Sequence, residues 1–167
     1  MNSSLAQCGY LLSLADTILA DLDDSHRALE PEPGMKTAGW LVGHLAVSGD
    51  YARGLCGRAP LCPAEWPLLF NPGSEASRDP DIYPTMTALC DLFRRVYTDL
   101  IEAAADADPV ALSAANPFAP ARSGFPTAGD FVAYLSGSHL AYHLGQLVAW
   151  RAAAGLGRLR RPDALAA

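Results

Sequence analysis

Apolar residues in this chain return at three- and four-residue steps, and no stretch alternates with the period of two that a half-buried strand requires. From Ser4 to Asp24, Leu5, Leu12, Ala15, Ile18, Leu19 and Leu22 share one stripe of an amphipathic helix. The segment "EPEPGMK" follows, and its two prolines and glycine must end that helix in a turn. A second helix is expected from Thr37, its N-cap, through "WLVGHLAVSGDYARGL" to about Cys56. A third opens with Pro84 and carries Met86, Leu89, Leu92, Phe93, Val96, Leu100 and Ile101 on one side. Beyond the loop "PVALSAANPFAPARSGFP", Thr127 to Asp130 reads as a capping box with Asp in the place of Glu or Gln. The fourth helix then continues to about Ala154 as one rod of about 40 Å at 1.5 Å per residue, with Gly155 or Gly157 as its stop. Four such rods with no internal repeat predict an all-α four-helix bundle.

The exception to helical patterning is a long connection between helices two and three, from Gly57 to Tyr83. It is rich in proline, and its Trp66, Leu68, Leu69 and Phe70 are expected to pack onto the body and roof part of it. With 167 residues, half of them hydrophobic, the chain supports one well-buried core, expected over 1–157 with a tail at 158–167. A net charge of −6, with basic residues scattered outside the terminal "RLRRP", excludes the clustered basic face of a nucleic-acid binder. No run reaches the roughly 20 apolar residues of a membrane span, and "MNSSLAQCGY" lacks the basic start of a signal peptide. A cytoplasmic protein is expected. Cys8, Cys56, Cys62 and Cys90 form no C-x-x-C pair and read as reduced packing thiols.

The chemistry concentrates in "SHLAYHLGQLVAW". Residues four apart on a helix differ by about 40° around its axis, so His139 and His143 project from one face and can hold one metal ion. Leu135, Tyr142, Gln146 and Trp150 fall on the same arc and place that face toward the bundle interior. A third imidazole, His44, sits amid apolar residues of helix two, with Trp40 one turn before it and Ser48 one turn after. Three neutral imidazoles leave a coordination position open, the arrangement of a catalytic rather than a closed structural site. Taken alone, the histidine pair reads more readily as hydrogen-bonded core or pocket residues than as metal ligands, and Trp40, Trp150 and Tyr142 as core aromatics. His26, beside Asp23, Asp24 and Arg27, reads as a solvated surface residue.

Together, "GWLVGHLAVSGDY" and "GSHLAYHLGQLVAWRAAAGL" make the chain resemble the DinB and YfiT-like superfamily of metal-dependent bacterial proteins. In that family a histidine midway along helix two and an H-x-x-x-H in the last long helix, running into Gly-Gln, supply a divalent-metal triad. The resemblance places that triad on His44, His139 and His143, with Gly145 and Gln146 as the Gly-Gln pair. It also implies a homodimer. Leu144 departs from the basic residue that many members carry there, and His139 departs from a thiol-using branch that has Glu at that position. Neutral imidazoles suit zinc, nickel, copper or iron alike, so geometry and availability decide among them, and zinc or nickel is expected. Such an ion activates water for hydrolysis or a low-molecular-weight thiol for transfer to a small-molecule substrate. Gln146, Ser48 and Tyr142 are the residues expected to orient ligands or substrate, with the Trp66 loop shaping the pocket. No residue stands out as a general base, and a non-catalytic metal or small-molecule binding module remains the rival reading.

Overall fold

The first rod, α1 (Asn2–Leu19), stops short of the expected Asp24. Its end is sealed from elsewhere in the chain, because Arg151 donates through Nη1 to the Ile18 carbonyl at 2.9 Å and pairs with Asp21. Asp23 then turns the chain locally by accepting from the Ser25 amide and hydroxyl, which competes with further helix. These residues belong to a computed structural model of the chain that describes residues 2–157 and Leu159; the rest of the tail expected at 158–167 lies outside the described residues.

The second rod, α2 (Ala38–Leu55), begins as the sequence predicts, with Thr37 accepting from the Trp40 amide at 3.2 Å. Every residue from Ala38 to Asp50 is buried, so α2 is the central helix and "GWLVGHLAVSG" needs no polar face. The connection that follows is ordered around a short helix, α3 (Trp66–Phe70). Trp66 and Phe70 are buried as expected, whereas Leu68 is 82% exposed. Asp50 ties down the start of the connection: its carboxylate accepts from the Leu61 and Cys62 amides and pairs with Arg53, which also reaches Asp99. Asp50 therefore points away from the histidines into a structural ion pair.

The third rod, α4 (Met86–Asp106), takes Thr85 as its cap, with the side chain accepting from Ala88 N; Pro84 precedes the cap instead of opening the helix. Met86, Leu89, Phe93, Val96 and Leu100 are fully buried, and Leu92 and Ile101 only partly. The loop after α4 includes a second short helix, α5 (Pro109–Ser113). It is tied back to the last rod by the bridge between Ala115 and Thr127.

The fourth rod is not the single helix expected. It consists of α6 (Ala128–Tyr134), a wide π-type turn over Leu135–His139, and α7 (Leu140–Ala153). The capping box at Thr127 and Asp130 is present in both directions. The wide turn falls on "LSGSH", where Gly137 presents no Cβ and the Ser136 hydroxyl donates back to the Ala133 carbonyl. Such turns inside helices mark functional positions frequently. Gly155, at φ 74°, ends α7 in the left-handed conformation that glycine adopts without strain. One hydrophobic cluster joins all four rods, with Ile18, Leu41, Leu45, Phe70, Phe93, Tyr97, Leu144 and Trp150 at its centre. No helix among the described residues is long and apolar enough to cross a membrane.

Candidate metal centre

The central helix and the wide turn bring the three histidines together. One ring nitrogen from each of His44, His139 and His143 lies within 4.8 Å of the others. Their rings sit edge to face, with centroids 4.5 Å apart for His139 and His143 and 4.6 Å for His44 and His143. All three are at least nine-tenths buried. His139 closes the π turn and His143 follows one turn along α7, so the expected shared face survives the break in the rod.

Their chemistry is set by what surrounds them. Burial pushes His139 down to about 3 and His143 down to about 4, with the neighbouring imidazoles adding to the effect, and burial lowers His44 as well. All three are neutral at neutral pH and present lone pairs, as metal ligands must. The His44 Nδ1–H donates to the Phe70 carbonyl at 2.7 Å. The His143 Nδ1–H donates to Gln146 Oε1 at 2.7 Å, and Gln146 Nε2 donates in turn to the Tyr142 hydroxyl at 3.2 Å. On both rings the unprotonated nitrogen is therefore Nε2.

His139 is different, for its Nδ1 is buried with no partner while its Nε2 lies 3.2 Å from His44 Nε2. Two ring nitrogens facing each other require a proton or a cation between them. The separation is close to the roughly 3.4 Å edge of a tetrahedron with metal–nitrogen bonds of about 2.0–2.1 Å. No carboxylate belongs to the group. The donor set fits a borderline-soft divalent ion, with three ligands from protein and a position left over.

The other expected site residues divide. Trp40 stacks flat on His44, with centroids 4.8 Å apart and 6° between planes. Gln146 orients His143. Ser48 is buried one turn beyond His44 but makes no hydrogen bond to any of the three rings. Trp66 packs on the Phe70 ring at 5.4 Å. Tyr142 is 63% exposed, contrary to expectation, because adjacent helical positions are about 100° apart and His143 takes the inward one. His26 is likewise corrected: it is half-buried with its ring edge on Trp150 at 5.9 Å, and its Nδ1 accepts from the Asp23 amide. The sequence reading missed two neighbours, the Phe70 carbonyl and Tyr134, whose ring meets His139 at 5.5 Å. A backbone carbonyl carries no sequence signature. Tyr134 stood one turn and a bulge before His139 and could have been found from that spacing.

The four cysteines are free and take no part in the cluster. Burial raises Cys8 and Cys62 to about 12 and Cys90 to about 11, so none of these supplies a reactive thiolate.

An all-helical bundle with three convergent neutral imidazoles in its interior is compatible with metal binding. A family model described as the DinB superfamily matches residues 12–147, and the chain belongs to that superfamily. The match spans both histidine segments. No curated protein and no solved structure matches the chain.

Proposed function

We propose that this chain holds one divalent metal ion, zinc or nickel, on His44, His139 and His143, and uses the open position enzymatically on a small molecule. The observation that carries the proposal is the convergence of three neutral rings, two with Nδ1 already committed as donors and the third facing His44 across 3.2 Å. When bound there, a divalent ion supplies Lewis acidity that lowers the pKa of water or of a thiol. The reaction is then either hydrolysis or transfer of the substrate to a low-molecular-weight thiol. The thiol must come from solution, because the chain's own cysteines are held protonated or lie outside the cluster.

The protein residues around the ion orient and exclude. The Phe70 carbonyl and Gln146 hold His44 and His143 in the tautomer with Nε2 free. Trp40 closes one face of His44, and Tyr134 stands against His139. Tyr142, exposed and linked to His143 through Gln146, is the side chain placed to meet an incoming ligand. Free cysteines accord with a cytoplasmic protein, and a homodimer is part of the same proposal.

One observation favours a second reading, a metal or small-molecule binding module without catalysis. The cluster contains no carboxylate to move protons, and Asp50 is consumed by Arg53 and two amides. Cobalt-substituted protein separates the two. Azide or a small thiol should perturb its visible spectrum at one equivalent of metal, and model esters, amides or thiol-accepting electrophiles should turn over, with His44→Ala as control. A spectrum indifferent to every ligand rejects the open site. A responsive spectrum without turnover favours the binding module.

A further inference from the structure

We infer that the segment from Trp66 to Ser74 is a clamp that fixes the ring orientation and tautomer of His44, with Gly43, Trp40 and Ser74 as positioning residues for the metal centre. The inference rests on the three-histidine reading above and extends it to residues that touch no metal.

The clamp grips His44 on two sides. At its edge, the Phe70 carbonyl accepts from Nδ1–H at 2.7 Å. At its face, Trp40 lies 4.8 Å away and nearly parallel. Both grips trace back to the same nine-residue stretch. The Ser74 hydroxyl donates to the Leu69 carbonyl at 2.8 Å and accepts from Trp40 Nε1 at 2.9 Å, so one side chain ties the Trp40 ring to the backbone next to Phe70. Lys36 adds a third tie, donating to the Ser74 carbonyl at 2.9 Å while its ammonium sits 4.3 Å above the Trp40 ring.

Gly43 permits the close approach. A Cβ at that position would lie 2.5 Å from the Phe70 ring, well inside any contact a real Cβ makes. Phe70 is fully buried there, backed by Trp66 at 5.4 Å and stacked on Tyr83 at 5.7 Å, so it has little room to withdraw. The ring fills the notch at Gly43 while the carbonyl of the same residue reaches His44, the next residue on α2. Apolar packing alone would tolerate either tautomer of a neutral imidazole. A carbonyl acceptor selects Nδ1–H and so leaves Nε2 for a metal. His143 obtains the same selection within its own helix from Gln146, and His139 has no such partner. The ligand from the opposite side of the bundle thus depends on the connection between α2 and α4. By linkage, metal bound at His44 must in turn stabilise the clamp.

The test uses ¹⁵N imidazole spectra of the metal-free protein together with zinc affinity from competition with a chromophoric chelator. Wild type should show His44 as a single Nδ1–H tautomer. Ser74→Ala should mix the tautomers and weaken zinc binding by about 10- to 100-fold, and Ser74→Thr, which keeps the hydroxyl, should restore both. Gly43→Ala should do the same as Ser74→Ala; if it fails to fold, the half-buried Ser74 position decides alone. A wild-type His44 protonated on Nε2, or a Ser74→Ala protein with unchanged tautomer and zinc affinity within twofold, overturns the clamp. Wild-type protein that binds no zinc rejects the metal reading, and the tautomer spectra still decide the clamp.

Discussion

Lowering the pH from about 7.5 to about 5 should markedly destabilise the metal-free protein. A free imidazole titrates near 6.5, whereas burial holds His139 at about 3 and His143 at about 4. A folded-state value below the unfolded one means that acid favours the unfolded chain. The contribution is fully present above about pH 6.5 and drains away as pH falls toward the folded values. Between about pH 7.5 and about pH 5 the unfolded chain takes up nearly one proton at each of these positions and the folded chain almost none, which costs about 2 kcal/mol per histidine. The pair therefore removes about 4 kcal/mol from a domain stability of about 5–15 kcal/mol. Asp21, Asp23, Glu30 and Asp130 are held low by their hydrogen bonds, so they lose their contributions at still lower pH and leave this window clear. Urea unfolding of metal-free protein at a series of pH values measures the effect. His139→Leu, which removes one titrating ring, should make the slope shallower. A stability constant to within about 1 kcal/mol across the window would refute the reasoning, because the rings would then be titrating as freely in the folded protein as in the unfolded one.

Two substitutions probe separate parts of the account. Gln146→Leu removes the acceptor of the His143 Nδ1–H and should weaken zinc binding by about 10- to 100-fold in a competition titration; unchanged affinity would show that Gln146 does not orient the ligand. Asp50→Ala strips the buried Arg53 of one partner and frees the Leu61 and Cys62 amides. It should cost about 3–5 kcal/mol in urea unfolding and open the chain around Leu61 to protease, and a loss below about 1 kcal/mol would show that Asp99 alone suffices.

What the sequence disclosed was local. The caps at Thr37 and Thr127 depend on residues within one turn, and both stand where expected. The shared face of His139 and His143 depends only on a four-residue spacing, and the apolar surround of His44 on burial from all sides of α2. What stayed hidden depends on distant partners or on backbone geometry. The end of α1 is decided by Arg151, more than a hundred residues away, which takes the Ile18 carbonyl. The π turn at Leu135–His139 is a change of backbone hydrogen-bond register that residue types alone do not announce, although "SGS" marks a weak place. His26 was misjudged because its cover, Trp150, comes from the far end of the chain. The grip of Phe70 on His44 runs through a carbonyl that every residue possesses.

The most direct test of the central claim is the metal content of protein purified without an affinity tag, loaded with zinc or nickel, then dialysed and analysed for metal. The account predicts one equivalent per chain in the wild type and none in His139→Ala or His143→Ala, with helix content nearly unchanged because the bundle fixes the ligands rather than being built by them. One full equivalent retained by both variants would contradict it.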